Sequence, residues 1–104
     1  MTVYTSGDWY VKAGREDEFS RLWCEYSRRN VADVDPSAWS VLWRDRENPR
    51  HFRSMGQWQD EAAVVMWRDG TGFKDIVDEL REMLEQFDTS VFEVVESIGG
   101  PDFD

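Results

Sequence analysis

The sequence predicts an α+β domain: one four-stranded antiparallel sheet with helices on one face. Two observations carry this expectation. Segments of two-residue alternation and segments of helical spacing follow one another in the order strand, helix, strand, strand, broken helix, strand. Between the two middle strands, Arg46-Glu47-Asn48-Pro49-Arg50 is turn chemistry, because Pro49 fixes φ and Asn48 suits tight bends. Those strands should therefore pair as a hairpin. The chain has 104 residues without repeat, linker or low-complexity tract, so 1–104 reads as a single domain.

The first strand is expected over Val3 to Val11. Val3, Thr5, Gly7, Trp9 and Val11 share one parity, and Gly7 weakens the strand or marks a bulge. Ala13-Gly14 ends it. The acidic run Glu16-Asp17-Glu18 suits the positive end of a helix, and Phe19, Leu22, Trp23 and Tyr26 then recur at helical spacing. This helix fades in Arg28-Arg29-Asn30, and Asp35-Pro36-Ser37 reads as a loop. Ala38 to Arg46 alternates on Trp39, Val41 and Trp43 as the second strand.

His51 to Trp58 is the third strand, with Phe52, Ser54, Gly56 and Trp58 on one face and His51, Arg53, Met55 and Gln57 on the other. Asp60 is placed to N-cap a short helix from Glu61 to Trp67, which Gly70 and Gly72 interrupt. A longer helix is expected through Phe73, Ile76, Val77, Leu80, Met83, Leu84 and Phe87. Its acids Asp75, Asp78, Glu79, Glu82 and Glu85 read as a solubilising face. The last strand is expected at Val91 to Glu96, and the tail 99–104 should fray. This βαββαβ order is the ferredoxin-like plan. A sheet covered on one side only, in a chain with six Trp, six Phe and three Tyr, should hide its other side against a second copy. A homodimer is the expected state. Trp39, Val41, Val91 and Val95 are its apolar candidates on either side of the sheet.

Charge narrows the function classes. Twelve Lys and Arg against twenty-two Asp and Glu leave a net charge of −10, which repels phosphate backbones and anionic lipid; neither nucleic acid nor membrane is an expected partner. One Cys and one His cannot close a structural zinc site or a disulfide, so no metal site is expected. No apolar run approaches the length of a bilayer span, and no basic segment precedes an apolar stretch at the N-terminus. The expected compartment is the cytoplasm. The aromatic load must enter a core, a subunit interface or a pocket for a flat ligand.

One stretch is more specific: WRDRENPRHFRSMGQW, followed by Glu61-Ala62 and then Trp67 and Phe73. With Val11-Lys12-Ala13-Gly14 and Phe19 at the start, it resembles the antibiotic biosynthesis monooxygenase family of dimeric α+β barrel proteins. The likeness spans Val3 to about Glu96. It implies the fold and leaves the reaction open, because the family covers cofactor-free oxygenation of anthrones, oxidative haem breakdown and cyclisation. The family's anthrone oxygenases carry an Asn and a Tyr at the places where this chain has Ser54, four residues before Trp58, and Val64, six after it. Its haem degraders carry an iron-binding His ten residues after the helix Trp, where Trp67 is followed by Val77. The haem group's Asn also has no counterpart in Ser6-Gly7-Asp8. Haem chemistry is therefore disfavoured and no cofactor is expected.

The resemblance implies an enzyme that deprotonates a flat phenol or anthrone and lets its carbanion pass an electron to oxygen. Such a site must be dry and aromatic, with donors for the developing oxyanion. Trp58 and Trp67 would stack on the substrate and donate indole N–H bonds, or serve simply as core. Ser54 would hydrogen-bond a phenolate. His51 is the default general base by its ordinary pKa, although it stands on the opposite parity from Ser54 and Trp58, where a solvated hairpin histidine is expected. Cys24 lies off the helix stripe and reads as an inert thiol. Two readings stay open: an oxygenase or related tailoring enzyme for an aromatic polyketide-like substrate, and a non-catalytic homodimer that binds a small aromatic. Parity puts the pocket between the sheet's helix-covered face and the C-terminal helical segments. Phe52, Gly56 and Phe73 join Trp58 and Trp67 as expected binding residues there. Gly56 leaves space beside Ser54, and the Gly70/Gly72 break would let the short helix move as a lid.

Overall fold

The computed structural model describes residues 1–34 and 38–101, without the side chains of 30–34 and of Thr71. The expected loop at Asp35-Pro36-Ser37 and the end of the tail lie outside these residues. The elements are β1 (Val3–Val11), α1 (Glu16–Val34), β2 (Trp39–Arg44), β3 (His51–Trp58), α2 (Glu61–Asp69), α3 (Thr71–Arg81) and β4 (Leu84–Phe92). They form one four-stranded sheet in the order β2-β3-β1-β4, with antiparallel neighbours. This is the ferredoxin-like α+β arrangement.

Local chemistry sets most boundaries. Gly14 turns the chain after β1 with φ 87°, and its N–H donates to Glu16 Oε1 at 3.0 Å. α1 continues past the polar Arg28-Arg29-Asn30 to Val34. Part of the reason lies on its exposed side, where Glu25 sits 3.5 Å from Arg21 and 3.9 Å from Arg29, each one turn away. β2 stops at Arg44 because the Asp45 carboxylate accepts the N–H groups of Glu47 at 2.8 Å and Asn48 at 3.2 Å, which starts the hairpin turn. Asp60 caps α2 by accepting Ala63 N–H at 2.9 Å. The break between α2 and α3 falls at Gly70 alone, and Gly72 lies inside α3.

The C-terminal third departs from the sequence expectation. The helix read as far as Phe87 ends at Arg81, and β4 begins at Leu84 instead of Val91. Leu80, Met83, Leu84 and Phe87 fit helical spacing, but the same residues satisfy a different arrangement. Met83 N–H donates to Leu80 O at 2.9 Å and closes the helix, while Leu84 pairs with Val11 and Phe87 with Trp9 across the β1–β4 ladder. A longer helix would leave this edge of β1 without ladder partners, so tertiary pairing overrides the local period. Only Val91 and Phe92 of the expected last strand are strand, and Glu93 to Glu96 are irregular.

Alternation divides the sheet into two unlike faces. The helix-covered face carries Val3, Thr5, Gly7, Trp9 and Val11 of β1 with Phe52, Ser54, Gly56 and Trp58 of β3. In register, Thr5 faces Gly56, Gly7 faces Ser54 and Trp9 faces Phe52. One core cluster gathers Trp9, Val11, Phe19, Phe52, Leu80, Met83 and Leu84. A second, at the other end of the sheet, joins Val3, Trp58 and Val64, with Trp67 packed against it. On the open face the β2–β3 register sets Trp39, Val41 and Trp43 beside Gln57, Met55 and Arg53. Val91 lies on the helix-covered parity, paired with Thr5, and Val95 lies beyond β4.

Candidate functional site

A cavity of about 300 Å³ opens between the two core clusters. Its floor is the helix-covered face of β1 and β3. Its walls come from α1 through Trp23 and Tyr26, α2 through Trp67, α3 through Phe73 and Ile76, and β4 through Phe87 and Thr89. The floor exists because two residues lack side chains. A Cβ on Gly7 would lie 2.8 Å from Trp9 Nε1, and one on Gly56 would lie 3.2 Å from Thr5 Oγ1 and 3.5 Å from Trp58 Nε1. The bare strand positions thus leave room for two indoles to lie against the sheet.

Three of the indoles that line the cavity donate their N–H to hydroxyls. Trp9 Nε1 donates to Ser54 Oγ at 2.9 Å, Trp58 Nε1 to Thr5 Oγ1 at 3.0 Å and, across the cavity, Trp67 Nε1 to Tyr26 OH at 2.8 Å. These bonds allow Trp58, 2 % exposed, to be buried without an unsatisfied donor. The rings also brace one another. Trp58 and Trp67 lie 4.9 Å apart, Phe73 meets Trp67 edge-on at 4.6 Å, and Phe87 stacks on Trp9 at 5.6 Å with planes 12° apart. The result is an apolar slot with flat walls and hydroxyls on its floor. Burial pushes the Tyr26 phenol up to about 12, partly offset by the Trp67 N–H it accepts, so this hydroxyl stays protonated at neutral pH.

The cavity brings together Ser54, Gly56, Trp58, Trp67 and Phe73 from the sequence reading. Phe52 and His51 are elsewhere. Phe52 packs 5.1 Å from Phe19 with the Arg44 guanidinium over its ring at 4.8 Å, inside the core beside the cavity. His51 lies on the open face, with the sheet between it and the cavity. There it is no solvated hairpin residue: its side chain is only 14 % exposed. Its Nε2 meets Asp8 Oδ1 at 2.8 Å, its Nδ1 meets Asp45 Oδ2 at 3.1 Å, and the Tyr10 ring stacks on it at 4.5 Å. Hydrogen bonds first to Asp45 and then to Asp8 raise its pKa above the usual histidine value. The same bonds hold both carboxyls below theirs, with Arg53 Nε adding a contact to Asp8 at 3.0 Å. The raised pKa favours the imidazolium form of His51, which is set away from any ligand in the cavity.

The indole N–H groups expected to reach a substrate are committed to hydroxyls. Of the groups the sequence offers to a substrate, Ser54 keeps its place at the cavity, while Thr5, Trp9 and Tyr26 join it with no signal of their own for this role in the sequence. Strand parity placed Thr5 and Trp9 on the right face. Their partners depend on the β1–β3 register, which no local pattern reports. Among the described residues no group of three His, Cys, Asp or Glu stands ready to hold a metal ion, and Cys24 is a half-buried free thiol.

A family profile described as antibiotic biosynthesis monooxygenase matches residues 2–79. Among solved structures, SnoaB, a cofactor-independent oxygenase from Streptomyces nogalater, superposes with a TM-score of 0.82 at 17 % identity, over 95 % of this chain and 98 % of that one. A conserved protein from Methanosarcina mazei Go1 gives 0.78 at 18 % identity, over 88 % and 91 %. At such identities the likeness establishes the fold. No curated protein matches the sequence.

Proposed function

The chain belongs to the antibiotic biosynthesis monooxygenase family, and we propose that it is a cofactor-independent oxygenase of a flat, polyketide-like aromatic substrate held in the indole-walled cavity. The observation that carries this reading is the slot itself: aromatic walls, hydroxyls on the floor, and about 300 Å³ of space, at the lower end of the usual range for small-molecule pockets. SnoaB, which shares the fold, is described as a cofactor-independent oxygenase.

In the reaction an anthrone-like carbon loses a proton to water, and the carbanion passes one electron to dioxygen. The radical pair then joins through a C–O bond. Protonation gives a hydroperoxide, and loss of water leaves a carbonyl, so one oxygen atom stays in the product and the other departs as water. The protein's part is to hold the ring system still, exclude bulk water and donate hydrogen bonds to the oxygen on which charge accumulates. Trp58, Trp67 and Phe73 form the walls, and Ser54 donates from the floor. Gly56 keeps the floor open. The working unit is a homodimer joined through the open face, where Trp39, Trp43 and Phe92 are 41, 46 and 55 % exposed.

A second reading is favoured by Ser54 and Val64, which stand where the family's anthrone oxygenases have Asn and Tyr: a dimer that binds an aromatic metabolite without turnover. Oxygen uptake with anthrone in chelator-treated buffer, with product followed by mass spectrometry, separates the two. The oxygenase consumes oxygen and yields the quinone. The binder quenches tryptophan fluorescence and yields nothing.

A further inference from the structure

Thr5 carries a hydroxyl that the oxygenase reading leaves unused, and it lines the same cavity floor as Ser54. A hydroxyl has one proton to donate and two lone pairs to accept with. The Trp58 indole occupies a lone pair of Thr5 Oγ1 and the Trp9 indole one of Ser54 Oγ. Neither hydroxyl makes a further hydrogen bond among the described residues, so each keeps its proton for a partner in the cavity that both residues line. Because Thr5 pairs with Gly56 and Gly7 with Ser54, the two hydroxyl residues are diagonal neighbours on one face, about 7 Å apart. The bare Gly7 and Gly56 positions lie beside them. The rest of the lining agrees in sign. Its titratable or charged residues are Tyr26 on α1, held protonated, Arg68 on α2 and Arg81 on α3, and none of the lining residues on the strands is ionisable. Arg68 and Arg81 are in no ion pair among the described residues; the Arg81 guanidinium rests over Phe87 at 5.3 Å. The cavity thus offers hydrogen-bond donors and cations, and no carboxylate or imidazole among the described residues.

We propose that Thr5 Oγ1 and Ser54 Oγ form a two-point donor site that selects the ionised form of an acidic hydroxyaromatic ligand, its oxyanion seated on the floor between them. Trp58 and Trp9 are positioning residues that turn the two hydroxyls into donors. The ligand's proton goes to solvent, and no protein base takes it. This deepens the oxygenase reading and rests on its cavity, but it concerns binding and not turnover.

The test uses 2-hydroxyanthraquinone, whose phenol and phenolate differ in colour, with 2-methoxyanthraquinone as the comparator that cannot ionise. With protein in excess, the bound probe should ionise at a lower pH than the free probe and bind more tightly than the methyl ether. Thr5→Val and Ser54→Ala should each move the bound ionisation back up by about one unit, a tenfold change in the ionisation constant. Thr5→Ser, which keeps the hydroxyl, should restore it and so controls for disturbed packing around Trp58. Failure of the probe to bind, ionisation of the bound probe at or above the free value, or an unchanged value in both variants would each overturn the inference. The two claims fail separately. A lowered bound ionisation without oxygen uptake on anthrone sinks the oxygenase and keeps the donor site; oxygen uptake with no response to Thr5→Val or Ser54→Ala does the reverse.

Discussion

The two faces of the sheet are made by the same strands and differ in how they satisfy polar groups. On the helix-covered face, hydroxyls accept from indoles, charge is absent from the floor, and two glycines leave space. On the open face, His51 is clasped between Asp8 and Asp45 with Tyr10 stacked on it, and large aromatics remain exposed. Burial explains the contrast. A carboxylate or imidazolium beneath the helices would lose its hydration, whereas an indole and a hydroxyl satisfy each other at little desolvation cost. The face that keeps carboxylates and imidazole out of its cavity is the one suited to hold a flat ligand and a developing oxyanion. The face that keeps charge is suited to orient a second chain.

Substitutions can break this contrast at several strengths. The largest effect is expected at Trp58. It is 2 % exposed, and Trp58→Ala removes a core ring and leaves Thr5 without its donor, costing about 3–5 kcal/mol in chemical denaturation. Trp43 on the other face is 46 % exposed, so Trp43→Glu should leave the chain folded but weaken self-association by about 2 kcal/mol or more. Sedimentation equilibrium at micromolar concentration checks this. A wild-type monomer, or a variant as dimeric as the wild type, would place the interface elsewhere.

Gly56→Leu sharpens the comparison by filling the floor. Its Cβ already starts 3.2 Å from Thr5 Oγ1, so overpacking should cost about 1–3 kcal/mol, while a folded dimer loses ligand quenching of tryptophan fluorescence. Retained binding in a folded variant would mean that the ligand sits elsewhere.

The smallest effect belongs to the open-face ion network and shows in its pH dependence. His51 is raised, so its contribution to stability is complete below about pH 6.5 and fades as pH rises through its higher folded-state value. Asp8 and Asp45 are lowered, so theirs is complete above about pH 4 and fades as pH falls through their depressed values. Between about pH 6 and about pH 9 the wild-type melting temperature should therefore fall relative to that of His51→Gln. Parallel profiles would show that the network contributes nothing to stability.

How much of this was legible in the sequence depended on whether a residue's role is local. β1 and β3 were readable end to end because alternation and bounding turns are local signals, and Asp60 announced the start of α2. The family stretch around Pro49 and Trp58 carried the fold. The α3–β4 junction was misread because Leu80, Met83, Leu84 and Phe87 satisfy two periods, and only the free edge of β1 decides between them. His51 was informative in its parity and misleading in its pKa: the carboxylates that clasp it come from β1 and the hairpin turn, 43 and 6 residues away in the chain. Gly56 and Ser54 stood out within one strand. Thr5 and Trp9 did not, since their roles arise from a register between strands far apart in sequence.

On the proposed function, the helix-covered face oxygenates an aromatic ring without a cofactor. The most direct test is incubation of chelator-treated protein with anthrone under ¹⁸O₂, with anthraquinone analysed by mass spectrometry. Oxygen uptake above the buffer rate and one ¹⁸O atom in the new carbonyl are expected, and both should be lost in folded Gly56→Leu. Quenching of tryptophan fluorescence by anthrone with oxygen uptake no faster than in buffer would contradict it.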